Sequence, residues 1–291
     1  MKQILIGTCI PGNYAAQWLP SMVEAGFECF SINFHMGFHD IDPKENAKQV
    51  KDILAESGKT VSTLGCYTNP LMYEEHVREL ERAIDSASLY GAKNVSTFAG
   101  AIEGKSVEYA MPRFKEVFTE LCKRAEDKGV RICIENCPMD GYWNYCTCNI
   151  GINPKAWEMM FDAVPSDALG LEWEPAHQMI QLIDPIPQLR KWAKKVYHMH
   201  GKDATVDWHA VSEYGAFNPV NDFAPQRTPG FGDTDWRIIF SILRANGFEG
   251  DVCVEGYHDP VYSGELEMTG QLHALKYLNW CRGGDYTPNP W

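Results

Sequence analysis

Residues 195–204, KVYHMHGKDA, begin with the apolar character of a buried strand and then turn to two histidines, a lysine and an aspartate. Because a strand alternates its faces with a period of two residues, His198, His200 and Lys202 point the same way. These side chains lie either on a solvated face of a sheet or at the mouth of a cavity. The endings of the other strand-like segments distinguish the two arrangements.

Seven further strand-like segments occur in the chain, and most are separated by a segment with helical spacing. The eight segments read QILIGT, CFSINF, VSTLGCY, NVSTFAG, RICIENC, ALGLEWE, KVYHMHG and DVCVEGY. Helical spacing is clearest at residues 74–91, 109–129 and 235–247, and each of these stretches ends in a glycine. Strands that alternate with helices pair in parallel through right-handed crossovers. Eight such units predict an α/β protein, a single (β/α)8 TIM barrel over residues 1–291.

Composition excludes several classes of partner. Apolar residues make up 45% of the 291 residues, enough for a large core, and the formal net charge is −13. With no cluster of lysine and arginine, the chain has no basic face for nucleic acid. No apolar stretch approaches the ~20 residues of a membrane helix, and the N-terminal apolar run is too short for a signal peptide. We therefore expect a cytoplasmic protein with a small-molecule substrate and no nucleic-acid or membrane partner.

The active site of a TIM barrel lies at the C-terminal ends of its strands. The last four strands end in a carboxylate or an imidazole: Glu135, Glu174, His200 and Glu255. The last three of these are followed two or three residues later by His177, Lys202 and His258, respectively. Such carboxylates would repel one another in one mouth unless a divalent cation neutralised them. Oxygen ligands with one histidine suit Mn²⁺, Mg²⁺, Co²⁺ or Zn²⁺. The cation would act as a Lewis acid on a carbonyl or an alkoxide.

The first four strands end differently, in residues suited to shaping a pocket: Cys9, His35, Tyr67, Asn69 and Phe98. Any single glutamate at a strand end is most often solvated, so the functional interpretation depends on all four endings together. His198 is expected to be a hydrogen-bonded core histidine, and Glu172 a buried, hydrogen-bonded carboxylate rather than a ligand. Four aromatic residues near strand ends either contact a sugar ring or pack the rim: Phe38, Trp143, Trp173 and Tyr257.

Five segments occur in an order that resembles the xylose-isomerase-like sugar phosphate isomerase/epimerase superfamily. They are IENCP, EPAH where that family commonly has DPSH, HMHGKD, TPGFGDTDW and VEGYHDP. The resemblance covers nearly the whole chain. It implies a divalent-metal site made by Glu135, Glu174, His200 and Glu255, with Glu135 and Glu255 also acting as the acid/base pair. It further implies that His177 contacts the substrate or assists the metal.

Two departures from the family pattern affect the site. Glu174 stands where an aspartate is usual, and its extra methylene moves the carboxylate by about one bond length. The substrate-binding arginine of the epimerases, a few residues past the seventh-strand histidine, has no counterpart in KDATVD. We expect Arg227 to reach the substrate from the long loop instead. His35, Lys202 and His258 complete the expected substrate-binding set.

Proton transfer next to a carbonyl requires a base, an acid and a group that stabilises the enediolate. The strand ends supply all three, so the sequence predicts a metal-dependent isomerase or epimerase of a ketose or keto-sugar. The runner-up is a lyase or dehydratase that acts on a 3-keto sugar or its glycoside with the same carboxylates. The loop FNPVNDFAPQRTPGFG, residues 217–232, could cover such a larger substrate.

Three other expectations concern function and assembly. An apurinic-site endonuclease-like nuclease is disfavoured, because its extra histidines are replaced by Asn69 and Phe98, although Asp207 and His209 form a similar D-x-H motif. A non-catalytic binding protein would have a closed metal shell with no open position. The resemblance and the aromatic C-terminal segment WCRGGDYTPNPW favour a homo-oligomer.

Overall fold

Eight parallel strands close into a barrel, which confirms the predicted (β/α)8 TIM-barrel fold. The computed structural model describes residues 3–216 and 223–290. The strands are β1 Ile6–Pro11, β2 Cys29–His35, β3 Thr60–Tyr67, β4 Asn94–Thr97, β5 Arg131–Glu135, β6 Leu169–Trp173, β7 Val196–Gly201, β8 Asp203–Ala204, β9 Gln226–Arg227 and β10 Val252–Val254. The barrel order is β1-β10-β7-β6-β5-β4-β3-β2, whereas β8 and β9 form a separate antiparallel pair.

Helices surround the barrel and are capped by short polar side chains. They are α1 Ala15–Glu24, α2 Pro43–Leu54, α3 Glu74–Tyr90, α4 Val107–Lys128, α5 Pro154–Ala163, α6 Ala176–Met179, α7 Pro185–Trp192, α8 Trp208–Tyr214, α9 Trp236–Ala245 and α10 Glu267–Arg282. The carboxylate of Asp235 accepts a hydrogen bond from the amide of Arg237 at 3.0 Å and caps α9, as expected. Gly91 ends α3 with a φ of 78°, a left-handed conformation that glycine adopts without strain. Within residues 3–216 and 223–290, no helix has the length and apolar character needed to cross a bilayer.

The two faces of the barrel strands differ in chemistry. In β5, Ile132 and Ile134 belong to the large apolar core, whereas Cys133 and Glu135 occupy the alternate positions. Inside the barrel, polar side chains replace the branched aliphatic residues usual there. His198 illustrates this, since its Nδ1 lies 2.7 Å from Glu172 Oε1 and its Nε2 lies 3.2 Å from Ser62 Oγ. The expectation of a hydrogen-bonded core histidine is confirmed.

The long segment after β7 is less irregular than its sequence suggests. It contains α8 and the pair of β8 and β9, and its residues 217–222, the first part of the expected covering loop, lie outside the described residues. Asp203 fixes the far end of the segment: its Oδ1 accepts from Thr234 Oγ1 at 2.5 Å and its Oδ2 accepts from Trp236 Nε1 at 3.0 Å. This anchors the loop directly beside the end of β7.

Candidate active site

Four predicted ligands converge at the C-terminal end of the barrel. One donor atom from each of Glu135, Glu174, His200 and Glu255 lies within 4.8 Å of the others. His200 Nδ1 is 3.3 Å from Glu135 Oε1 and 3.1 Å from Glu255 Oε2. The longer side chain of Glu174 still reaches the cluster. We refer to these four residues as the ligand cluster.

The donor atoms of the ligand cluster fit a divalent cation. Both carboxylate oxygens of Glu174, Oε2 of Glu255 and Nδ1 of His200 are buried. Glu174 Oε1 lies beside His177, and Oε2 of both Glu174 and Glu255 lies near Lys202. Buried carboxylates in such number need nearby positive charge to offset their desolvation and mutual repulsion. Three carboxylates and one imidazole nitrogen are a donor set that suits Mn²⁺, Mg²⁺, Co²⁺ or Zn²⁺. The residues therefore fit the predicted metal.

The carboxyl groups of the ligand cluster differ in pKa, because Lys202 lies close to some of them and not to others. Burial raises the pKa of Glu135 to about 7. Burial also disfavours the charged form of Glu255, but Lys202 and His200 outweigh it and hold the pKa of Glu255 well below its ordinary value. The ammonium Nζ of Lys202 lies 2.6 Å from Glu255 Oε2 and 3.5 Å from Glu174 Oε2. These two carboxylates raise the pKa of Lys202 well above its ordinary value despite its burial.

A buried carboxylate orients the His200 ring from the opposite side. His200 Nε2 lies 3.3 Å from Glu172 Oε1 and 3.4 Å from the hydroxyl of Tyr67. Glu172 accepts hydrogen bonds from Tyr67 at 2.7 Å and from Ser96 at 2.6 Å, which confirms its expected role as a buried, hydrogen-bonded carboxylate. An acceptor behind a ligand histidine favours a proton on Nε2 and leaves Nδ1 free for the ligand cluster.

A cavity of about 500 Å³ lies over the ligand cluster, and we refer to it as the first lobe. Four of the five residues expected to bind substrate line it: His35, His177, Lys202 and His258. His177 Nε2 is 2.8 Å from Glu174 Oε1, and His258 Nε2 is 3.4 Å from Glu255 Oε1. These side chains therefore surround the space that a cation-bound substrate would occupy.

Arg227, the fifth of these residues, lies elsewhere. Its Nε donates to Asp259 Oδ2 at 3.0 Å, and its guanidinium carbon lies 6.0 Å from the centre of the Phe231 ring. It does not line the first lobe, whereas its neighbour Gln226 does. Because side chains alternate along a strand, β9 presents only one of the two residues to the cavity. The structure thus places Arg227 outside the first lobe, where its ion pair holds the loop against the segment after β10.

Two of the four aromatic candidates also lie away from the cavity. Trp173 is fully buried, because it occupies the position between Glu172 and Glu174 and so belongs to the outer face of β6. Trp143 donates its indole N–H to Glu108 at 2.6 Å. Phe38 and Tyr257, in contrast, line a second lobe of the cavity. Both tryptophans therefore make contacts within the protein and do not line either lobe.

Sequence reasoning missed several residues of the cavity wall. Asn33 lines it and shares the parity of His35 on β2, a signal that could have identified it. Cys137, Met139 and Gln226 also line the first lobe. Met139 has a φ of 48°, a left-handed conformation that is rare outside glycine and that the sequence does not reveal.

The residues of the D-x-H motif play a local structural role. Asp207 caps α8 by accepting from the amide of Ala210 at 2.9 Å, and His209 is exposed on that helix. Asn69, on the loop after β3, accepts from the amide of Ala101 at 2.9 Å. None of the three belongs to the ligand cluster. The residues of this motif therefore contribute no ligand to that cluster.

The chain is similar to several known proteins in sequence and in fold. The chain is 24% identical to the uncharacterized protein YfiH of Bacillus subtilis (strain 168), over 91% of this chain and 92% of that one. It is 26% identical to inosose dehydratase of Bacillus thuringiensis (strain Al Hakam), over 74% and 72% of the two chains. The structure of 3-keto-D-glucoside 4-epimerase YcjR from E. coli superposes with a TM-score of 0.69 at 17% identity, covering 96% of this chain and 99% of that one, a likeness of fold. Residues 20–279 match the model of the xylose isomerase-like TIM barrel, and the chain belongs to this family.

Proposed function

We propose that this protein is a divalent-metal-dependent isomerase or epimerase that moves a proton next to the carbonyl of a ketose or keto-sugar. The observation that carries the proposal is the ligand cluster itself, in which three carboxylates and His200 come within 4.8 Å of one another in a cavity wall. The membership in a family of sugar-modifying enzymes supports the same substrate class.

The cation would polarise the substrate carbonyl and stabilise the negative charge that develops on its oxygen. Glu174 and His200 are the residues best placed to hold it, since both are almost fully buried and a donor atom of each lies within 4.8 Å of the other. Glu135 and Glu255 would complete its shell. Lys202 limits the repulsion among these carboxylates and keeps Glu255 ionised at neutral pH.

Proton transfer is assigned to Glu135 and Glu255. Their carboxylates approach the same nitrogen of His200 and both line the first lobe, so each can reach a substrate carbon held there. Glu255, ionised, would remove the proton from the carbon next to the carbonyl. Glu135 would supply a proton to the enediolate. In the reverse direction the two residues exchange roles.

A dehydratase or lyase that acts on a 3-keto sugar or its glycoside is the second candidate. It uses the same first step, but the enediolate then expels a hydroxyl or alkoxyl group instead of regaining a proton. The named function of the inosose dehydratases favours this outcome. So does the pair of His177 and Lys202, whose Nε2 and Nζ atoms lie 3.3 Å apart beside the cavity and could protonate a leaving oxygen.

Solvent deuterium incorporation distinguishes the candidates. The metal-free protein is supplied with Mn²⁺ in D₂O and given a panel of ketoses and 3-keto glycosides, which are followed by NMR. Exchange without loss of a hydroxyl or alkoxyl group supports the isomerase or epimerase, and exchange with elimination supports the dehydratase or lyase. Tight Mn²⁺ binding without any exchange would refute both and favour a non-catalytic binding protein.

A further inference from the structure

The cavity continues beyond the first lobe into a second lobe of about 640 Å³ over the ends of β1 and β2. The two lobes share four lining residues: Asn33, His35, Tyr67 and Glu255. Glu255 is thus both a member of the ligand cluster and part of the wall of the second lobe. A molecule whose reacting carbon lies next to Glu255 can therefore extend into this lobe.

The first lobe alone has room for one sugar ring. A hexose has about twelve non-hydrogen atoms, and at the ~30 Å³ that a water molecule takes up in the liquid it needs at most about 360 Å³. The first lobe offers about 500 Å³ and the second about 640 Å³. A single monosaccharide would leave the second lobe to solvent, which points to a substrate with a second bulky group.

The walls of the second lobe match an uncharged polyol. Phe34 and Phe38 lie buried beneath this lobe, and Ile41 and Tyr257 supply its accessible apolar surface. The exposed side chains of Asn13 and Asp40 stand at the rim. Flat apolar surface beside a few polar groups suits a sugar ring, which has an apolar C–H face and a periphery of hydroxyls. Among the described residues, no lysine or arginine lines this lobe. A phosphate or carboxylate would thus meet the carboxylates of Asp40 and Glu255, with the imidazoles of His35 and His39 in place of a permanent cation.

Asn33 supplies a fixed polar group on the wall that the two lobes share. Ser31 Oγ donates to its Oδ1 at 2.6 Å, which leaves the Nδ2 amino group as a donor for a ligand. Space for this side chain exists because Gly65 has no side chain. A Cβ at that position would lie 2.4 Å from Asn33 Oδ1 and 2.7 Å from Tyr67 Cε2.

The turn that forms one side of the second lobe has a strained backbone that its surroundings fix in place. Met36 and His39 have φ values of 61° and 52°, in the left-handed region. Glu79 Oε2 accepts from the amide of Phe38 at 2.7 Å, and Arg82 pairs with the same carboxylate at 2.5 Å. Strained residues that their surroundings hold in place are frequent at ligand clamps. This turn is therefore pre-organised as a binding wall.

We propose that the natural substrate is a glycoside, with its keto-sugar ring in the first lobe and a second, uncharged sugar unit in the second lobe. The proposal rests on the proposed function, because it places the reacting ring at the ligand cluster. It goes beyond that function by specifying the group attached to the reacting ring, a second sugar unit.

The test compares two substrates that share the reacting ring, a methyl 3-ketoglucoside and a 3-keto disaccharide. Deuterium incorporation is measured for the Mn²⁺-loaded wild-type protein, and kcat/KM is expected to be at least about tenfold higher for the disaccharide. A ratio near one would overturn the proposal while leaving the proposed function intact. A phenyl 3-ketoglucoside that reacts faster than the disaccharide would overturn the assignment of a sugar unit.

Asn13→Trp narrows the second lobe at an exposed rim position. It is expected to lower the ratio of kcat/KM for the disaccharide to kcat/KM for the methyl 3-ketoglucoside at least about fivefold. Lys51→Trp, an equally bulky change at an exposed position of α2 outside both lobes, is the matched control and keeps the wild-type ratio. An unchanged ratio in a folded Asn13→Trp protein would contradict the proposal.

Failure of the proposed function is a separate outcome. If neither substrate exchanges, calorimetric binding of the unoxidised disaccharide decides the proposal about the second lobe. Weaker binding to Asn13→Trp than to Lys51→Trp supports the second lobe as a sugar site. Equal binding to the two variants, or no binding to the wild type, overturns it.

Discussion

The two halves of the barrel mouth present different kinds of side chain. The ends of β5, β6, β7 and β10 present ionisable groups that crowd together, and we call them the cation half. The ends of β1 to β4 present amide, imidazole and aromatic groups, such as Asn33, His35 and Tyr67, and we call them the contact half. In the proposed function, one closed barrel thus offers a reaction centre on one side and a recognition surface on the other, because the site is built from separate strand ends. Substitutions in the two halves should therefore have different kinetic signatures.

The largest effect is expected from Glu135→Gln and Glu255→Gln in the cation half. Each should lower the rate of deuterium incorporation about 100- to 10,000-fold, the usual contribution of a general acid or base. The measurement is the NMR exchange assay with Mn²⁺. Glu103→Gln, at an exposed position before α4, is the matched control and should retain the wild-type rate. Wild-type exchange in either active-site variant would show that the acid/base assignment is wrong.

Asp203→Ala tests the hydrogen bonds that anchor the loop after β7 beside the cation half. Asp203 accepts hydrogen bonds from the backbone amides of Ala204 and Thr234, the Thr234 hydroxyl and the Trp236 indole. Its removal leaves buried donors without partners and should lower the free energy of unfolding by about 3 kcal/mol. Urea denaturation measures this, and Asp233→Ala at the adjacent loop position is the comparison variant. A loss below about 1 kcal/mol would argue against this anchor.

The same carboxylate predicts a pH dependence of stability. Burial raises the pKa of Asp203 to about 6 from its ordinary value of 3.8. Between these values the unfolded chain has lost the proton and the folded protein keeps it, so stability falls as pH rises through this window. The loss is at most about 3 kcal/mol. Unfolding free energies of wild type and Asp203→Asn, measured from pH 4 to 7, should differ in slope, and parallel curves would contradict the prediction.

Cation affinity should depend on pH through Glu135. Burial raises the pKa of this carboxyl to about 7 in the absence of a cation, and a ligand carboxylate must lose its proton to bind. The carboxylates of Glu172 and Glu255 raise the pKa of His200 well above its ordinary value despite its burial, so this ligand must release its proton as well. Mn²⁺ affinity should therefore rise with pH by up to about tenfold per pH unit for each proton released. Calorimetric titration of the metal-free protein measures this, with Glu135→Gln as the variant that loses the contribution of Glu135. A Mn²⁺ affinity that does not change between pH 5.5 and 7 would contradict this prediction.

The smallest effect is expected in the contact half. His35→Ala should raise KM about fivefold and change kcat by less than about twofold, because a contact made equally in the ground state and the transition state affects binding alone. Steady-state kinetics with the preferred substrate measure this, and Lys51→Ala is the surface control. A fall in kcat comparable to that of the glutamate variants would remove the distinction between the two halves.

Local sequence pattern was sufficient for the fold and for the ligand cluster. The positions of strands and helices follow from periodicity, and the period of two along β5 and β7 places Glu135 and His200 on the inner face. The closed ring of strands then brings the ends of β5, β6, β7 and β10 together. These are short-range rules, and they need no knowledge of how loops run.

The parts that the sequence did not reveal depend on loop paths and backbone strain. Arg227 was expected at the substrate, but its ion pair with Asp259 depends on how the loop after β7 meets the segment after β10. The second lobe depends on left-handed residues such as Met36 and His39, which no propensity indicates. For Trp173 the sequence analysis left sugar contact and packing open, although the parity of this residue on β6 already assigns it to the outer face.

The most direct test of the ligand cluster is anomalous diffraction from crystals soaked in Mn²⁺, with data collected on both sides of the manganese edge. We predict one strong peak bonded to Glu135, Glu174, His200 and Glu255. Two neighbouring groups offer alternative donors, Cys137 and His177 beside Glu135, and Glu172 and His198 behind His200. A peak at either of these groups, or no peak at the barrel mouth, would contradict the account.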